Sequence, residues 1–263
     1  MTGVLKASLI GFLGYARPSV KRIRTMKFNL KTILLSLLLA YPAVSNAQVI
    51  ISLLFGEKLN SEKIEFGLEG GFNRSYFRDV PEANGLNNFN LGFYFHFLIK
   101  NNAYLATGVM VKSSVGATGM PTYKIGDEDF DNLFEDGTRT TKINYFHVPV
   151  LWHQRFNNRW YIEIGPMLGL RSKAKDIFET DVLEGDLKYT LDVRDRYKRF
   201  DAGLVGGAGY KFRKRIKSMA AGVNYYYGLM NVSTQSGTKI RNSSIYLYLK
   251  IPIGAGSKPG EES

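Results

Sequence analysis

Three histidines, a serine pair and two acid-rich stretches are the residues of this chain with the chemistry to bind or catalyse. His147 and His153 lie six apart in one alternating segment, so they share a face but stand roughly 20 Å apart at about 3.3 Å per residue. They cannot ligate one metal ion. His96 would need one of them and a carboxylate from elsewhere, and no spacing in the chain offers that set. Hydrogen bonding inside the fold is the expected role of all three. Ser113-Ser114 could supply a nucleophile, which needs a base within hydrogen-bond reach. His147 is followed by Val148-Pro149 and His153 by Gln154-Arg155, and nothing in the sequence pairs a serine with either. Asn90 and Lys112 read first as structural. Asp127-Glu128-Asp129 with Asp131 offers the oxygens calcium takes, without the twelve-residue EF-hand pattern. A solvated loop fits it better, and the acids could also bridge to anionic headgroups through divalent ions. No catalytic, cofactor-binding or metal-binding residue is therefore assigned, no cofactor is expected, and the chain is not expected to be an enzyme. The absence of cysteine removes disulfide frameworks, thiolate catalysis and thiolate metal sites.

The elements that must position these residues are eight alternating segments, at 62–77, 88–100, 103–116, 141–156, 158–172, 196–213, 215–230 and 241–253. Their connections are tight after the second, fourth and sixth. The others, at 78–87, 117–140, 173–195 and 231–240, are long and polar. Tight turns at one end and long loops at the other predict an all-β fold: an eight-stranded antiparallel up-and-down transmembrane β-barrel. Phe89, Leu91, Phe93, Phe95 and Phe97 share one face of their segment against Asn90, Gly92, Tyr94 and His96. Phe146, Val148, Val150 and Trp152 likewise oppose Tyr145, His147, Pro149 and His153. Alternation alone allows two placements. A soluble lipocalin-like barrel turns its apolar face inward, and a membrane barrel turns it outward. Strand length, loop asymmetry and the Gly-rich second face favour the membrane. The inward set is then Glu65, Glu69, Lys112, Arg155, Glu163, Asp201, Lys211 and Lys250, able to pair across an interior that eight strands leave just wide enough to fill. Trp152, Phe156, Trp160 and Tyr161, with Phe97 and Tyr104, read as an interfacial girdle beside the Asn157-Asn158 and Asn101-Asn102 turns.

The front of the chain reads as a targeting segment. Residues 26–31 supply a positive start, 32–44 an apolar core too short to span a bilayer, and Ser45-Asn46-Ala47 small residues for cleavage after Ala47. The expected organisation is an extension and signal peptide over 1–47 (signal core 26–47), a lead-in over 48–61, the barrel over 62–253, and a tail over 254–263. The whole chain carries 35 basic and 23 acidic residues, net +12. Seven of the basic residues and none of the acidic ones fall in 1–47, leaving 28 against 23. Nucleic acid is therefore not an expected partner. Six acids (Asp127, Glu128, Asp129, Asp131, Glu135, Asp136) crowd 117–140, and bases from Lys211 to Lys217 crowd the sixth-to-seventh turn.

Phe66-Gly67-Leu68-Glu69-Gly70-Gly71, Tyr145-Phe146-His147-Val148-Pro149-Val150-Leu151, Trp160-Tyr161-Ile162-Glu163-Ile164-Gly165-Pro166 and the glycines of 203–209 carry a resemblance. Over about 62–253 the chain resembles the PorT-like outer-membrane β-barrel family of the Bacteroidetes. The resemblance implies a barrel in the bacterial outer membrane, in a family whose founding member assists a secretion and gliding apparatus. It also implies membrane lipid, lipopolysaccharide and the barrel-assembly machinery as partners, with an envelope or secretion protein as a further one. The expected role is structural or interactive, with a filled lumen. A small-solute channel, a lipid A-modifying enzyme and a soluble periplasmic binding barrel are the alternatives.

Overall fold

The computed structural model describes residues 63–253 except 158, 183–184 and 215–216. The expectations for 1–47, 48–61 and 254–263 lie outside the described residues.

Nine antiparallel strands form: β1 (Ile64–Phe77), β2 (Asn84–Lys100), β3 (Ala103–Pro121), β4 (Thr138–Phe156), β5 (Trp160–Val182), β6 (Gly185–Asp192), β7 (Phe200–Lys211), β8 (Ala220–Gly228) and β9 (Asn242–Pro252). Eight of them close a ring, because β4 pairs with β5 and β9 returns to β1. Closure leaves no unpaired edge in the ring, which is what hydrocarbon demands of a spanning backbone. The ninth, β6, pairs only with the far end of β5. The expectation of a loop over 173–195 is thereby corrected. Its alternating residues extend β5 as far as Val182 and return as β6, forming a hairpin that stands beyond the ring. Polar composition hid the strand, since a hairpin in water needs no apolar face. The 117–140 stretch also contracts, between the lengthened β3 and β4, to a connection holding α1 (Glu128–Leu133).

Side-chain exposure decides between the two placements that alternation left open. Phe72 (65% exposed), Ile164 (61%) and Leu247 (60%) point away from the ring, whereas His147 (0%), Tyr161 (1%) and Tyr145 (1%) fill its inside. The apolar face is outward, as for a barrel solvated by lipid. On β4 the outward apolar run extends ten residue steps from Phe146 to Phe156. At about 3.3 Å per residue and a tilt of about 40°, that is roughly 25 Å of hydrocarbon-facing height.

Asn101 (φ 51°) and Asn157 (φ 46°) adopt the left-handed conformation that the tight turns require, which asparagine tolerates. Pro149 remains in register with Met167 of β5, while the β3–β4 ladder breaks between Thr107 and Met110. Its missing N–H falls on the β3 side, where its carbonyl accepts instead from Thr107 Oγ1 (2.8 Å). Pro166 pairs with Leu204 of β7 and breaks the β4–β5 ladder in the same way.

Three expected orientations are corrected. Lys112 is exposed outside the barrel, because β2 and β3 change register at Leu91–Gly92 and Val111 becomes an extra residue. Tyr104 (5% exposed) and Tyr161 (1%) lie in the lumen and do not belong to the girdle, which keeps Trp152, Phe156 and Trp160.

Candidate functional site: the barrel lumen

Cross-strand register brings the inward polar residues to one level. Glu65 pairs with His96, Tyr104 with His153, His153 with Glu163, and Glu69 with Lys250. Two carboxylates organise the layer. Glu65 accepts from Tyr94 Oη (3.0 Å), Arg155 Nη2 (2.9 Å) and Lys211 Nζ (3.0 Å). Glu163 accepts from Lys250 Nζ (2.6 Å), His153 Nδ1 (2.9 Å), Asn224 Nδ2 (3.2 Å) and Tyr248 Oη (3.3 Å). Glu69 lies 3.7 Å from Lys250. Three carboxylates thus face three cations, Arg155, Lys211 and Lys250. Arg155 also stacks over Tyr104, 3.9 Å from the ring centroid. Buried charge is tolerated only when paired and hydrogen-bonded, and this layer meets both conditions.

His96, His153 and Glu163 present ligand atoms within 4.8 Å of one another, so the structure supplies the third partner that no sequence spacing offered. His96 Nε2 makes no hydrogen bond among the described residues, but the other two groups are already engaged. His153 donates from Nδ1 to Glu163 and accepts at Nε2 from Arg155 Nε (3.2 Å), and Lys250 holds the same Glu163 oxygen. A divalent ion would have to displace both cations. The arrangement suits an ion-pair network better than a metal cage.

Nearer the long-loop end, His147 Nδ1 lies 2.8 Å from Ser113 Oγ, and Tyr145 stacks on the imidazole. The expectation that no base meets Ser113 is therefore corrected. The bulged register of β3 against β4 makes the pair, and local sequence carries no trace of it. Both side chains are buried (2% and 0% exposed) inside the ring. Asp201 accepts from Asn242 Nδ2 (2.7 Å) on the same level. Above them, Phe77, Val115, Ile143, Val193, Tyr197 and Val232 belong to one apolar cluster drawn from four strands and two connections. A cavity of about 40 Å³ remains between Glu69, His96, Glu163, Asn224 and Lys250, room for a few waters.

The acidic stretch serves local structure. Asp127 caps α1 by accepting from the Phe130 amide (3.1 Å), and Asp131 accepts from the amides of Ile125 (2.8 Å) and Gly126 (3.2 Å). Phe130 and Phe134 pack on Phe178 of the projecting hairpin.

A family model described as an outer membrane protein beta-barrel domain matches residues 46–234. No curated protein matches the sequence. Among solved structures, the Yersinia pestis attachment invasion locus protein Ail, in complex with the heparin analogue sucrose octasulfate, is 13% identical over 72% of this chain and 97% of its own (TM-score 0.38). Neisserial surface protein A is 12% identical over 72% and 99% (0.35), and Pseudomonas aeruginosa OprG is 11% identical over 72% and 93% (0.29). These are distant likenesses.

Proposed function

Because this chain belongs to the outer membrane protein beta-barrel domain family of the bacterial outer membrane, we propose that it is a non-conducting barrel acting through its outer surfaces. The observation that carries this reading is the filled interior. The charged layer and the apolar cluster follow one another along the lumen, and the cavity beside the charged layer is about 40 Å³. Tight turns face the periplasm and the β5–β6 hairpin projects outward, following the loop asymmetry of such barrels. The PorT-like motifs support an accessory role in secretion or envelope assembly, with an envelope protein as partner. The chain is not an enzyme in this reading: Ser113 and His147 face the lumen beneath the apolar cluster, where no lipid substrate reaches them.

Reconstitution into planar bilayers tests the proposal. The expected trace has no stepwise conductance beyond that of protein-free membranes. Discrete, reproducible steps would overturn it in favour of a small-solute channel.

A further inference from the structure

On the outer wall, directly beyond the apolar belt at the long-loop end, four lysines share one face of three adjacent strands. Lys142 of β4 stands directly opposite Lys175 of β5, and Asn144 opposite Lys173. Lys112 of β3 lies beside them, its ammonium 5.4 Å from the centre of the Phe89 ring and close enough to Lys142 to repel it. Lys112, Lys173 and Lys175 are exposed, and Lys142 is half-buried. Like charges directly opposite in a sheet destabilise it. Among the described residues none of the four makes an ion pair. Asp192, in register with Lys175, is bonded instead to Arg194 Nε (3.0 Å). Immediately below lie the exposed side chains of Val111, Phe146 and Leu170.

We propose that Lys112, Lys142, Lys173 and Lys175 bind the phosphates of a phosphorylated lipid of the outer leaflet, whose acyl chains lie along Val111, Phe146 and Leu170. Charge complementarity selects the headgroup, since among the described residues the four cations face one nearby carboxylate, Asp192, which attracts Lys175 but is bonded to Arg194. Position selects a lipid over a soluble anion. The lysines rise from the hydrocarbon-facing wall, where long basic side chains lay their stems on apolar surface and carry their charge to the headgroup level. The inference rests on the orientation given above.

The test reads the temperature midpoint of the heat-induced gel shift for the full barrel in phosphatidylcholine vesicles. These contain no addition, diphosphorylated lipid A, or the same lipid A dephosphorylated. Both leaflets carry the lipid, so the result does not depend on orientation, which trypsin digestion of whole cells reads separately. The phosphorylated lipid alone is expected to raise the midpoint, with apparent affinity falling roughly fivefold for each Lys→Gln change among the four. The quadruple variant should lose the response. Should it fail to fold, the pair Lys142→Gln and Lys175→Gln serves, expected to be at least as stable as the parent without phosphate and less responsive with it. An equal response to both lipids, or an undiminished response in the variants, would overturn the site. Binding of soluble heparin with no effect of lipid A would also overturn it, assigning the patch to sulfated glycans.

Discussion

Glu163 shows how far one lumen side chain can be committed. It accepts from Lys250, His153, Asn224 and Tyr248, so its loss leaves Lys250 buried with only Glu69 (3.7 Å) in reach. Glu163→Leu is expected to destabilise the barrel by about 3–5 kcal/mol, the cost of leaving an uncompensated buried charge. Glu69→Leu should cost less, because Lys250 keeps Glu163, and the double change Glu163→Leu with Lys250→Met should recover much of the loss. Urea unfolding in detergent would read all three; equal costs for Glu163→Leu and Glu69→Leu would contradict the pairing. Outside the membrane, Asp79 is bonded twice by Arg241 (2.9 and 2.6 Å), which holds its carboxyl below its ordinary 3.8. A depressed carboxyl stabilises the fold fully above its unfolded value and ceases to do so as pH falls through the lower folded value. Hydrogen exchange in 78–83, corrected for intrinsic rates, should therefore accelerate as pH falls below about 4. Asp79→Asn should exchange fast throughout.

At the scale of elements, the β4 ladder is broken on both sides, at Pro149 toward β3 and opposite Pro166 toward β5. Proline in a strand is tolerated where the missing N–H has no obligatory partner or another group takes the acceptor, and Thr107 Oγ1 provides part of that compensation. Pro149→Ala restores an N–H on the β3 side. It is expected to slow amide exchange around 107–110 and to stabilise the barrel by up to about 1 kcal/mol, the net value of a typical hydrogen bond. Unchanged exchange would place the cause of the break in the neighbouring bulge instead. The β5–β6 hairpin makes a different point. Its strands alternate as regularly as those of the ring but carry charge on the exposed face, so composition read them as loop. Cross-strand pairs such as Glu179 with Lys188 (2.6 Å) stabilise such a hairpin in water.

For the whole molecule, the eight strands of the ring, the two classes of connection and the alternating faces were legible in the chain, and the β5–β6 hairpin was not. The legible features are local: a period of two and an asparagine turn need no partner to be recognised. Lys112 marks where local reading stops, since a single extra residue in β3 moved it from the lumen to the wall. Alternation is symmetric with respect to which face is buried, so only the side-chain exposure in the folded ring settled that the apolar face looks outward. Closure fixed the stagger between neighbouring strands. That stagger brings Glu65 to Arg155 and Lys211, Glu163 to His153 and Lys250, and Ser113 to His147, pairs separated by 10 to 146 residues in the chain. The sequence by itself determined that these side chains share the polar face of the sheet. Which of them meet there depends on the sliding of each strand against the next, a property of the closed sheet and of no single segment.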